Sequence, residues 1–410
     1  MKKSLIQIIP RVKEWAKSHR TALLISLCNV FILTLVSYFL NNQPLFTGEN
    51  LNRYAWLEWA KDKLGLTNQT EEHDSVLYVN TSYDNQLTNK VIDSADEDKN
   101  NKISLGNIVV ADRSKLLKFL HFLRTVGGYK YVFLDVRFEK GTEVPDVDSA
   151  LFAEIFKMKK IVIANHSDIE IADSSLLEKA ALVDYKSTIV ETNFVRWKYS
   201  YSGNPTMPLY AYKELTGKDI NSHFLFYTCN GRLCYNSLFL KFPIEDNLPF
   251  NSQGEPSYNN LGSDLLNLSE EELATVIKDM YIVIGNMTED MHDTYSGLKP
   301  GSKIMYAAFR ALMAGEHFVS YRKALLFALL YFLISFFMFD RQSFFERFSF
   351  VRKSHSKLLY FVLSLVEYTF LLSFVAILLY LCYEMTVSIM LPSIYFAIQK
   401  NIIHYKRLKI

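Results

Sequence analysis

Residues Gly127–Asp168 read GGYKYVFLDVRFEKGTEVPDVDSALFAEIFKMKKIVIANHSD, and this stretch decides the fold. Two glycines open it and break the helix before them. Tyr129–Val136 is a run of β-branched and aromatic residues with Asp135 near its end. A continuous apolar run of that length suits a strand covered on both faces. Asp146 or Asp148 can cap a helix running to about Met158, with Ala150, Leu151, Ile155 and Met158 on one face. Lys160–Ala164 is a second strand of the buried type. Strand, helix, strand predicts a βαβ unit, hence a mixed, largely parallel sheet flanked by helices: an α/β fold.

On the N-terminal side, Ser75–Val79 reads as a buried strand. Asn80–Ser104 is rich in Asn, Asp and Lys and reads as an exposed loop; the spacing of a calcium-binding loop is absent. Asn107–Ala111 is a short strand, and Asp112 caps a helix through Thr125. On the C-terminal side a helix is expected near Ser174–Ala181. Strands follow within STIVETNFVRWKYSYSGNPTM, then a helix over Pro208–Leu215. Ser269 to Glu272 fits a capping box before a helix over Leu273–Met280, and Tyr281–Gly285 is another buried strand. A loop and an amphipathic helix come next.

These segments, taken in order, resemble the second type of CHASE domain, an extracytoplasmic sensory module of bacterial histidine kinases, adenylyl cyclases and Ser/Thr kinases. The resemblance rests on FLDVRF, a loop with paired aspartates, DSALFAEIF and IVIA. It continues through DYKSTIVETNFVRWKY before a helix, and through YIVIG, an Asp-bearing loop, Pro-Gly and a helix leading to the membrane. It covers residues 73–318 and implies a periplasmic or extracellular sensor. Family members commonly continue into a kinase or cyclase. Here about ten residues follow the last apolar run, without the H-R-D, D-F-G or P-loop signatures of such domains.

The ends of the chain carry long apolar runs, which is why the mean hydropathy is near neutral. Residues 21–40 and 358–382 have the length needed to cross a bilayer, and 324–339 is slightly shorter. Residues 384–403, with Pro392, form a weaker fourth run. The first run lacks the small residues of a cleavage site and reads as an uncleaved anchor. Residues 1–20 hold six Lys/Arg and one Glu, residues 340–357 five Lys/Arg, one Asp and one Glu, and residues 400–410 four Lys/Arg and no acid. The positive-inside rule then makes 1–20, 340–357 and 404–410 cytoplasmic and 41–323 extracytoplasmic, with one N-terminal and three C-terminal spans. This describes a multi-pass protein of the bacterial inner membrane. Tyr54, Trp56 and Trp59 follow the first span; packing on the domain is the commoner fate of such aromatics, lipid headgroups the other.

In a parallel sheet, ligands bind at the carboxyl ends of the strands. Asp135, Arg137, Asp146, Asp148, Asp290, His292 and Asp293 are candidates to converge there, for a small ligand or a divalent cation; the metal is undefined and no cofactor is implied. Arg137 or loop amides are the expected partners of Asp135. Caps, turns and surface ion pairs are the commoner fate of such residues; Asp135 is the exception, since an acid at the end of a buried strand needs a partner. Cys229 and Cys234, in CNGRLC, suit a disulfide across a hairpin, with free thiols as the alternative; two cysteines alone do not make a zinc site. There is no G-x-S-x-G or H-E-x-x-H motif and no nucleic-acid signature, so the expectation is a non-enzyme. Its expected partners are the lipid bilayer, a small ligand or envelope component, and a separate signalling or assembly protein. The rival reading is a docking component of an envelope assembly.

Overall fold

The computed structural model describes residues 20–42, 51–66, 76–93, 102–183, 196–242, 258–340, 356–383 and 389–407. Two compact units are present, Asn68–Phe318 and, separately, Met1–Thr67 with Val319–Ile410. In chain order the elements are α1 (Arg20–Asn42), α2 (Leu51–Lys63), β1 (Val76–Asn80), β2 (Asn85–Asp93), β3 (Lys102–Ala111), α3 (Arg113–Val126), β4 (Tyr131–Asp135), α4 (Pro145–Lys157), β5 (Ile161–Asn165) and β6 (Ala180–Leu182). Next come β7 (Arg196–Lys198), β8 (Ser200–Tyr201), β9 (Asn204–Pro205), α5 (Met207–Thr216), β10 (Ile220–Ser222), β11 (Tyr227–Cys229), β12 (Arg232–Cys234), β13 (Ser237–Phe239) and β14 (Asn259–Asn260). The chain ends with α6 (Glu270–Ile277), β15 (Tyr281–Gly285), β16 (Met291–Thr294), β17 (Gly297–Pro300), α7 (Gly301–Met313), α8 (Tyr321–Asp340), α9 (Lys357–Tyr383) and α10 (Met390–Arg407).

The α/β unit is built on a six-stranded sheet of order β14-β1-β15-β4-β5-β6, and every pairing in it is parallel. Tyr131–Leu134, Ile161–Ala164 and Ile282–Gly285 are buried throughout, as strands covered on both sides require. Alternation assigns the faces. Val132, Leu134, Ile161, Ile163, Ile282 and Ile284 join Leu116, Leu120 and Leu123 of α3, Leu151 and Ile155 of α4, and Ile277 of α6 in one core. The opposite face carries Tyr78, Tyr131, Phe133 and Tyr281. These meet α7 through rings, with Phe133 and Phe309 centroids 4.9 Å apart and Tyr281 and Phe309 5.3 Å apart. The Tyr131 hydroxyl bonds Glu214 of α5 on that same face. The result is three layers, with α3, α4 and α6 on one side and α5 and α7 on the other.

Local signals explain the helix ends. Asp112 accepts from Lys115 N at 3.0 Å, and Gly127, at φ 69°, stops α3. The capping box at Ser269 and Glu272 is formed and starts α6. By contrast α4 begins at Val144 without a side-chain cap, so neither Asp146 nor Asp148 is its N-cap; both lie in the first turn, after Pro145.

Three further expectations are corrected. Within Asn80–Ser104, residues Asn85–Asp93 are not a loop but pair antiparallel with Lys102–Ala111, with a register shift at Lys90/Val91. The ribbon is exposed along much of its length, so Asn and Lys alternate with Leu87, Val91 and Val109 and mask the strand pattern; residues 94–101 lie outside the described residues. The Ser174–Ala181 helix is a 3-10 turn over Ser174–Lys179, because pairing with β5 takes Ala180–Leu182 as an edge strand. The hairpin at CNGRLC forms, but no disulfide joins Cys229 to Cys234. Its register sets Cys229 opposite Arg232 and Cys234 opposite Tyr227, so the two sulfurs occupy diagonal positions rather than facing ones. Residues 184–195, part of the expected strand pair, lie outside the described residues.

In the other unit, among the described residues, three helices are long and apolar enough to cross a membrane: Arg20–Asn42, Tyr321–Phe339 and Lys357–Tyr383. The fourth expected run appears as α10, 18 residues with Gln399 and Lys400 in its length, and it does not reach the same apolarity. The basic stretches 1–19 and 341–355 lie outside the described residues.

Candidate functional site

β15 and β4 are neighbours in the sheet, with Gly285 opposite Asp135 at their carboxyl ends. From there the chain diverges. The connection after β4 leads to α4 on one face, and that after β15 leads through β16 and β17 to α7 on the other. Adjacent parallel strands whose connections part in this way leave a crevice, the usual ligand position in open α/β sheets. A cleft of about 920 Å³ lies there. Asp135, Arg137, Glu139, His166, Glu289, Asp290 and His292 supply its charged and titratable lining, and Ile108, Val136, Trp197 and Met305 are among its apolar walls.

Close approach of the backbone builds the floor. A Cβ on Gly285 would overlap the Ser302 hydroxyl, and one on Gly301 would overlap the Asp290 carboxylate, so a side chain at either position would displace those groups. The gap allows Ser302 Oγ, in the first turn of α7, to donate to Asp135 Oδ2 at 3.0 Å. His292 Nε2 lies 3.0 Å from Asp290 Oδ1, and Gly301 N donates to Asp290 O at 2.9 Å. The loops above are tied by Asn80, which is fully buried. Its Oδ1 accepts from Met287 N and Ser82 N, and Ser82 Oγ lies 2.6 Å from Asn286 Oδ1.

Burial pushes the Asp135 carboxyl above its usual range; the neighbouring His166 and His292 and the Ser302 bond pull it down, and Asp290 pushes it further up. The hydrogen bond to Asp290 raises His292, with Asp135 and Asp293 adding to it against burial. The floor is therefore a small set of groups in which Asp135 has a serine hydroxyl, two histidines and a second carboxylate as neighbours. Arg137, the expected partner of Asp135, instead bonds Asp168 at 2.7 Å at the exposed rim, and holds Asp168 below its usual pKa. Glu139 is paired with Lys90 at 2.5 Å.

Four of the seven candidates thus line the cleft: Asp135, Arg137, Asp290 and His292. Asp146 and Asp293 are exposed and do not line it. Asp148 is buried elsewhere, with Oδ2 accepting from Val144 N at 3.0 Å and Oδ1 3.7 Å from Arg113 Nε. His166, Ser302, Asn286 and Glu289 were missed. His166 follows β5 directly, as Asp135 ends β4, so the strand-end rule reaches it. Among the described residues no group of three or more His, Cys, Asp or Glu is spaced to hold a metal ion. The cleft thus sets polar groups against an apolar wall. No family model, no curated protein and no solved structure matches this chain.

Proposed function

We propose that the chain is a multi-pass bacterial inner-membrane protein whose α/β unit is an extracytoplasmic, ligand-binding sensor of the CHASE kind, acting through a separate signalling partner and not as an enzyme. The cleft at the divergence of β15 and β4 carries this reading, because it combines a ligand-sized volume with a buried carboxyl, Asp135, set beside a serine hydroxyl and two histidines. The three basic segments support a cytoplasmic position for both termini and the 340–357 loop.

A fourth span through α10 is supported by its packing. Phe396 and Ala397 are fully buried, and Gln399 and Tyr395 both bond Asn29, in the middle of α1, at 2.8 Å. Asn29 also donates to Ser335 of α8 at 2.6 Å. Polar side chains satisfied between helices are how a less apolar segment is accommodated at membrane depth.

The test is thermal melting of the full chain in detergent against a panel of amino acids, organic cations and sugars. A ligand should raise the melting temperature of the wild type by mass action and fail to do so for Asp135→Asn. Equal stabilisation of both proteins would remove Asp135 from the site. For topology, a cytoplasm-dependent reporter fused after Ile410 should be active and one inserted at Asn100 silent.

A further inference from the structure

α2 belongs to the same compact unit as the apolar helices. One edge of it packs on α9. Tyr54 and Leu57 are buried, and the Tyr54 ring centroid lies 5.5 Å from that of Tyr380. Tyr380 donates its hydroxyl to Glu58, and Lys61 Nζ sits 5.9 Å over the same ring. Tyr380 is in the last turn of α9. That helix has 27 residues, a length of about 40 Å at the usual rise, against about 30 Å of hydrocarbon, so its last turn reaches the headgroup region.

Away from this edge α2 exposes Trp56 (52 %) and Trp59 (58 %), three residues apart and therefore on one face. Leu64 and Leu66 are exposed just beyond the helix. Two neighbouring indoles open to water are a poor arrangement for a soluble surface, whereas at a headgroup layer each buries its ring and keeps its N–H wet. The sequence alone favoured packing of these aromatics on the domain; within their own unit both indoles are exposed. We infer that Trp56 and Trp59 insert into the headgroup–glycerol layer of the bilayer on the side where α1 ends, making α2 an interfacial anchor continuous with the lipid-facing surface of α1, α8 and α9. This rests on the reading that those helices span.

The experiment uses the full chain in vesicles of phosphatidylcholine brominated on the acyl chains, comparing wild type with Trp56→Phe/Trp59→Phe. Both side chains are exposed, so phenylalanine leaves the packing edge intact. Trp15 and Trp197 contribute equally to both proteins. The wild type should show bromine-quenched emission that the double variant largely lacks, stronger for bromine near the glycerol end than near the methyl end. The same quenched intensity in both proteins overturns the inference, as does a blue-shifted, unquenched component lost in the variant, which would mean burial against protein. Alkaline carbonate extraction separates the two readings. If the chain stays in the membrane and the quenching is absent, only the interfacial anchor fails. If carbonate releases the chain, the spanning helices fail and the anchor with them.

Discussion

Two carboxylates near the carboxyl end of the sheet show opposite solutions to the same problem. Asp148 and Arg113 are almost completely buried, with side chains 4 % and 1 % exposed. Arg113 also donates to Arg137 O at 3.0 Å and stacks 4.4 Å from the Phe138 ring centroid. A permanent cation thus stands beside Asp148, and together they pin the loop between β4 and α4. Among the described residues no permanent cation stands beside Asp135. Its neighbours are a serine hydroxyl, two histidines and a second carboxylate. The first arrangement is a closed ion pair; the second sets a buried carboxyl among titratable groups at the floor of the cleft.

The largest effect is expected at the closed pair. Asp148→Ala leaves a buried guanidinium beside no counter-charge and should cost about 3–5 kcal/mol in chemical denaturation. A loss under about 1 kcal/mol would mean that the 3.7 Å pair is already well hydrated. Gly285→Ala forces a methyl group onto Ser302 and should cost about 1–3 kcal/mol. It should also displace the donor to Asp135, seen as a changed Asp135 titration by NMR.

Asp135→Asn tests the open site. A folded pKa above the unfolded value means that the folded state holds the proton more tightly. Stability from this group is therefore greatest at low pH and falls as pH rises from the unfolded value through the folded one. The Asn variant should lack that fall and melt no lower than wild type at neutral pH, the two curves closing as the pH drops. A variant that melts well below wild type at neutral pH would make Asp135 a structural carboxylate like Asp148. The smallest effect is at the rim. Arg137 and Asp168 are 52 % and 65 % exposed, so Arg137→Gln should change stability by less than about 1 kcal/mol and leave the Asp135 titration in place.

The sequence was informative where a residue's neighbours along the chain set its environment. The buried runs at Tyr131–Asp135, Ile161–Asn165 and Tyr281–Gly285, the Asp112 cap and the Ser269 capping box are local features, and each forms. The half-exposed ribbon β2–β3 and the edge strand β6 were not legible, because their pairing partners rather than their composition make them strands. Of the site, Asp135 was visible as an acid ending an apolar strand, yet its identity as an open carboxylate was not. The same loop offers Asp146 and Asp148 at similar spacing, and nothing in the chain says which of the three meets Arg113.

The sequence by itself determined the layered parallel α/β character of the middle of the chain and the segregation of apolar and basic segments to its ends, since periodicity and run length act within a few turns of backbone. Only the tertiary structure decided that β15 inserts between β1 and β4, placing Gly285 beside Asp135 across 150 residues of chain and bringing Asp290, His292 and Ser302 to the same crevice. Strand order is set by which faces pack when the helices α3, α4 and α6 cover one side and α5 and α7 the other. That choice is a property of the assembled core, and no local stretch contains it.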